Sequence, residues 1–152
     1  MTEAKDKQLC EKYPKIFKMR YASMQETAMC WGFPGDGWFN IIDSACKIIQ
    51  HHVDWKRKVE PFASMTDEEF DEIHQPVAAQ VKEKFGGLRF YVDNADDYTS
   101  GVIALAESMS YRTCEDCGAP GKQTGRGWIR TLCDTCNSRY PNERKEDYTN
   151  SS

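Results

Sequence analysis

Cys114, Cys117, Cys133 and Cys136 form two CxxC pairs separated by fifteen residues, and this spacing constrains the chain more than any other feature. A CxxC turn is tight enough to aim two sulfurs at one ion, and the intervening segment is long enough to bring the second pair round to the opposite side. The pattern is that of a tetrahedral four-thiolate site for one zinc ion. Four protein ligands leave no coordination position for water or substrate, so such an ion is structural: it organises a fold and carries no chemistry of its own.

The remaining chain has to supply a hydrophobic core. At 152 residues there is room for one core of about a hundred residues plus a small metal-stapled module. The expected class is therefore α+β, with a helix-rich body over 1–110 carrying one short hairpin, a treble-clef-like four-cysteine zinc module over 111–142, and a disordered tail over 143–152. No apolar run approaches the ~18 residues of a membrane span, and the first residues lack an apolar signal region. The expectation is a protein of the cytoplasm, away from membranes. Seven cysteines leave Cys10, Cys30 and Cys46 outside the quartet, an odd set that suits a reducing compartment.

Net charge is −4, unevenly spread: residues 1–63 carry 10 basic and 8 acidic side chains, 64–110 carry 3 and 10, and 111–152 carry 7 and 6. Four metal-bound thiolates add about two further negative charges. A broad, non-specific grip on nucleic acid is disfavoured by this balance.

Helical periodicity is clearest after Gly35-Asp36-Gly37, where Asp36 reads as an N-cap for a helix from about Trp38 to His52. Phe39, Ile42, Cys46 and Ile49, widened by Ile41, Ala45 and Ile48, form its buried stripe. A capping-box pattern at Thr66-Asp67-Glu68-Glu69 opens a second helix that stops before Pro76. Residues 78–92 admit a helical reading through Val77, Val81 and Phe85, but Gly86-Gly87 favours a hairpin in which Phe85 faces Leu88 and Glu83 faces Phe90. Lys82, Lys84, Arg89 and Tyr91 then share the opposite, basic face. A further helix from Tyr98 to Tyr111, with Val102, Leu105, Ala106 and Met109 inward, leads into the metal module. That module reads as a knuckle at 114–118, a hairpin through Gly125, Gly127 and Trp128, and a helix whose first turn holds the second cysteine pair.

Taken together, Tyr13-Pro14, Gly35-Asp36-Gly37-Trp38, the KEKFGGLRFY stretch over 82–91 with Val81 before it, Cys114-Glu115-Asp116-Cys117-Gly118-Ala119-Pro120-Gly121 and Leu132-Cys133 resemble a family of uncharacterised small proteins of tailed bacteriophages and prophages. The resemblance covers residues 13 to 136. It implies a phage gene expressed in a bacterial host cytoplasm, and small phage accessory proteins frequently bind and redirect host proteins or block host defences.

The catalytic patterns sought are missing. A nuclease of the treble-clef kind needs a histidine beside the metal hairpin, and all three histidines precede Cys114. The HxE and PCxxC elements of zinc deaminases, Walker loops, GxSxG elbows and GxGxxG turns are also missing. His51, His52 and His74 read as helix C-terminal residues complementing the dipole, and Asp67, Glu68, Glu69, Asp71 and Glu72 as solvated first-turn acids. The expected activity is non-catalytic binding of a host macromolecule, foremost a host protein. Nucleic-acid binding is the alternative, through a strip formed by Lys82, Lys84, Arg89 and Tyr91 and extended by Lys122, Arg126, Trp128 and Arg130.

Overall fold

A computed structural model describes residues 1–125 and 127–140, so Arg126 and the tail expected over 143–152 lie outside the described residues. It is a mixed fold of helices and two small antiparallel hairpins, in the order α1 (Glu3–Lys12), α2 (Phe39–Lys56), α3 (Asp67–His74), β1 (Val77–Lys84), β2 (Gly87–Asp93), α4 (Asp97–Ser110), β3 (Lys122–Thr124), β4 (Arg130–Leu132) and α5 (Asp134–Asn137). No described helix is long and apolar enough to cross a membrane.

α2 is the central element. Ile41, Ile42, Ala45, Cys46, Ile49 and Val53 are buried along it, and they meet Leu9, Ile16, Phe17, Met29, Phe70, Val81, Leu88, Phe90 and Ile103 in one core. The helix runs a turn beyond the expected end, so His51 and His52 are not its C-terminal residues. His52 instead stacks on Tyr98, centroids 4.0 Å apart, and its Nε2 lies 2.7 Å from Asp96 Oδ2. Asp36 is also reassigned. It sits inside a 3-10 turn over Asp36–Trp38 with Gly35 as N-cap, and its carboxylate accepts the Thr2 N–H at 2.6 Å, closing the start of α1. α1 itself has no counterpart in the sequence reading, because only Leu9 on it is buried. Good helix formers and the Arg20–Asp6 ion pair at 2.8 Å hold it in place.

The capping box of α3 forms as expected, the side-chain oxygens of Thr66 and Glu69 each accepting the other residue's backbone N–H. The hairpin forms too, but its turn is Phe85-Gly86, with φ of 53° and 78°, the double positive φ of a type I′ turn. Glu83 therefore pairs with Leu88 and Val81 with Phe90, each partner two positions nearer the turn than expected. A slip of two preserves the faces. Phe85, expected inward, is instead 64% exposed. Gly87 instead pairs with Lys84 as the first residue of β2, where a Cβ would meet the Tyr111 ring. The outer edge of β2 is closed by α4, where Ser110 Oγ accepts from Leu88 N at 2.8 Å and Glu107 from Phe90 N at 3.0 Å.

Of the expected inward residues of α4, Ala106 is buried and Val102 packs on the core, but the face is shifted toward β2. Thr99, Ile103, Ala106 and Ser110 are buried, whereas Leu105 and Met109 are exposed, as is Ile48 on α2. These three border a shallow apolar groove of about 200 Å³ between the two helices.

Candidate metal centre and the surfaces around it

The segment after α4 is built on close backbone approach. Thr113 and Pro120 bridge across the first CxxC turn, Cys114 N donates to Ala119 O at 2.7 Å and Gly118 N to Cys114 O at 2.9 Å. Gly118, at φ +81°, supplies the left-handed residue that this knuckle requires. β3 pairs with β4 in register Lys122 to Leu132 and Thr124 to Arg130, returning the chain to Cys133. That residue N-caps α5, its sulfur accepting from Cys136 N at 3.4 Å.

The knuckle, hairpin and short helix bring together the four cysteines expected from their spacing. One sulfur from each of Cys114, Cys117, Cys133 and Cys136 lies within 4.8 Å of the others, and Cys117 and Cys133 approach to 3.7 Å. A zinc–sulfur bond of ~2.3 Å makes the edge of a thiolate tetrahedron about 3.8 Å, so the cluster fits such an ion. The Cys136 N–H stabilises the Cys133 thiolate, bringing that thiol down to about 7, whereas desolvation and then the neighbouring thiols push Cys136 up to about 12. A divalent cation relieves this conflict by satisfying all four sulfurs at once.

The body receives the knuckle through glycine. Gly37 N donates to Glu115 O at 2.9 Å, and a Cβ on Gly37 would fall 2.0 Å from Cys114 O. Trp38, fully buried, donates its indole N–H to Thr113 O at 2.8 Å. The hairpins are joined as well: Thr131 Oγ1 donates to Gly86 O at 2.5 Å and Gln123 Nε2 to Phe85 O at 3.3 Å. Sequence reasoning missed Glu115, which is only 6% exposed. It accepts from Arg130 Nε at 2.8 Å and from Thr131 N at 3.3 Å, and its burial raises the carboxyl pKa against the pull of those donors. Its one legible sign was a charged residue inside a CxxC.

The proposed basic strip is divided. Lys82, Lys84, Arg89 and Tyr91 do share one face of the first hairpin, but Arg89 is tied to Tyr111 Oη at 2.9 Å, and Lys82 lies over the Tyr91 ring at 5.9 Å. Lys84 and Lys122 are exposed. Arg130 is not free: beyond Glu115, it reaches toward Asp116 at 3.7 Å and sits 4.2 Å over the Tyr140 ring. Trp128 is 71% exposed. The cysteines outside the quartet differ in kind, since burial pushes Cys46 well above the usual thiol range and burial followed by Asp6 takes Cys10 up to about 11.

Comparison of the chain with family models finds no match. Neither curated proteins nor solved structures match it.

Proposed function

We propose that this chain is a non-catalytic accessory protein of a tailed bacteriophage or prophage, stapled by one structural zinc ion, that acts in the host cytoplasm by binding a host protein. The observation that carries the reading is the make-up of the cysteine cluster: all four donors are thiols of the chain, so a tetrahedral ion held by them has no vacancy for water or substrate. When bound, zinc supplies cross-linking and charge neutralisation. The residues of the chain do the rest. Trp38, Gly37 and Thr131 seat the module on the body, and the seated module carries Trp128 at its surface. An exposed tryptophan on a rigid, metal-held hairpin is the kind of residue that anchors a protein interface.

The test combines metal analysis with binding. Protein purified without chelator should contain one zinc per chain, and tagged protein should capture from host lysate one stoichiometric protein whose binding is reconstituted with purified components and weakened by Trp128→Ala. Metal-free protein that is fully folded would overturn the zinc reading. Repeated capture of nucleic acid alone would overturn the protein-partner reading. That second reading has one observation in its favour, the shared face of Lys82, Lys84, Arg89 and Tyr91, and it requires a salt-sensitive shift of single-stranded DNA or RNA at ~50 mM salt.

A further inference from the structure

Between the two hairpins lies a cavity of about 340 Å³ lined by Pro34, Gly35, Glu83, Glu115, Trp128 and Arg130. Its walls come from the loop before α2, from β1, from the first CxxC turn and from the zinc hairpin, so it exists only when the module is seated. The size is at the low end for small-molecule sites and suits one long side chain.

The charges in it do not cancel. Among the described lining residues, Glu83 and Glu115 are the carboxylates and Arg130 the one guanidinium. Arg130 is committed elsewhere: Glu115 holds its Nε at 2.8 Å, Asp116 lies 3.7 Å from its Nη2, and the Tyr140 ring covers one face at 4.2 Å. Arg130 is thus shared by two carboxylates, which leaves Glu83 without a cation partner among the described residues, and a four-thiolate zinc on the same turn as Glu115 would add about two more negative charges. Glu83 places one oxygen on Gly86 N at 2.6 Å, which fixes the carboxylate without neutralising it. Trp128 adds an exposed aromatic face and Pro34 an apolar wall. A flat, weakly hydrated cation on an aliphatic stem meets all of these demands: its head pairs with a carboxylate and stacks on indole, while its stem covers proline.

The geometry points to this cavity as a receptor for an arginine side chain presented by the protein partner, with Glu83 accepting the guanidinium and Trp128 stacking on it. The site rests on the protein-partner reading given above and names the chemistry by which that partner is recognised.

The experiment uses the full, zinc-loaded chain labelled with nitrogen-15, following the indole resonance of Trp128, identified by its disappearance in Trp128→Phe. The probe is a capped Gly-Arg-Gly peptide, against the same peptide with citrulline, which keeps the shape and lacks the charge. The arginine peptide should shift the resonance saturably, and citrulline should bind about tenfold more weakly or worse, the loss expected of a charge-assisted contact. Glu83→Gln, which can still accept from Gly86 N, should weaken the arginine peptide similarly. No shift, or equal shifts by both peptides, would overturn the assignment. So would a Trp128 response to a thymidine oligonucleotide with none to the arginine peptide. A captured host protein that binds Glu83→Gln and Trp128→Ala with wild-type affinity would sink the cavity while leaving the partner reading intact. Saturable arginine binding without any captured protein would do the reverse.

Discussion

Gly37 and Gly101 show how differently two glycines can be constrained. A methyl group on Gly37 would meet Cys114 O at 2.0 Å and the backbone of Glu115 and Gly118 at 2.7 Å, whereas nothing lies within 4 Å of one on Gly101. Gly37→Ala should therefore cost about 3 kcal/mol, the upper end for overpacking against immovable backbone. Gly101→Ala, on the exposed side of α4, should add roughly 0.5–1 kcal/mol by removing the entropy cost of a helical glycine. Urea denaturation of the two variants should move the midpoint in opposite directions, and a stable Gly37→Ala protein would show that the knuckle is not seated as described. Phe85 offers a third residue-scale case. Its φ of 53° costs a β-carbon residue about 1–2 kcal/mol that asparagine partly avoids, so Phe85→Asn should raise the same midpoint slightly.

At the scale of elements, α4 depends on one carboxylate. Asp96 accepts from Thr99 N at 2.8 Å and faces His52 and Lys56 at 2.7 and 3.4 Å. Burial opposes its ionisation, but these donors outweigh it and hold the carboxyl well below its usual range. A depressed folded value means that the stabilisation is complete above the unfolded carboxylate pKa of ~4 and is lost as pH falls below it. Asp96→Ala should cost about 1 kcal/mol at neutral pH. Its deficit should shrink on acidification below pH ~4, which unfolding curves at two pH values would reveal.

α4 also marks the limit of what the sequence could show. Its existence, the capping box of α3, the hairpin and the cysteine quartet were legible because each rests on local chemistry: period, cap, turn residue, ligand spacing. Its buried face was legible only in part: Val102 and Ala106 pack inward as expected, but Leu105 and Met109 stay out while Thr99 and Ser110, the latter bonded to Leu88 N, are inside. Apolarity alone placed Leu105 and Met109 inward, and both are exposed. The turn position escaped for a similar reason: Gly86-Gly87 offered an obvious turn, whereas the glycine at 87 answers to the Tyr111 ring, 24 residues away in sequence. Arg130 was read as part of a nucleic-acid strip, and its pairing with Glu115 is a tertiary fact.

For the molecule as a whole, the four-cysteine module and the body share a boundary of backbone and buried indole. Structural zinc contributes on the order of 10–16 kcal/mol in small fingers. Chelation should thus unfold residues 113–136 and also uncover Trp38. The expected result is a red shift of tryptophan emission together with a lower melting temperature for the remaining core. Unchanged emission after complete zinc removal would mean that Trp38 does not depend on the module for its cover. Cys117→Ser should produce a milder form of the same change, with weaker zinc retention measured by competition with a chromogenic chelator.

Trp38 and the carbonyl that receives its indole are 75 positions apart, which has a meaning in time as well as in space. At translation rates of ~5–20 residues per second, roughly 4 to 15 s separate the synthesis of the two. Throughout that interval the buried indole N–H of Trp38 lacks the carbonyl it bonds in the finished fold. The nascent body must therefore leave that N–H to water or to another acceptor until then, and the arrival of the segment that opens the four-cysteine module completes a core begun near the start of the chain.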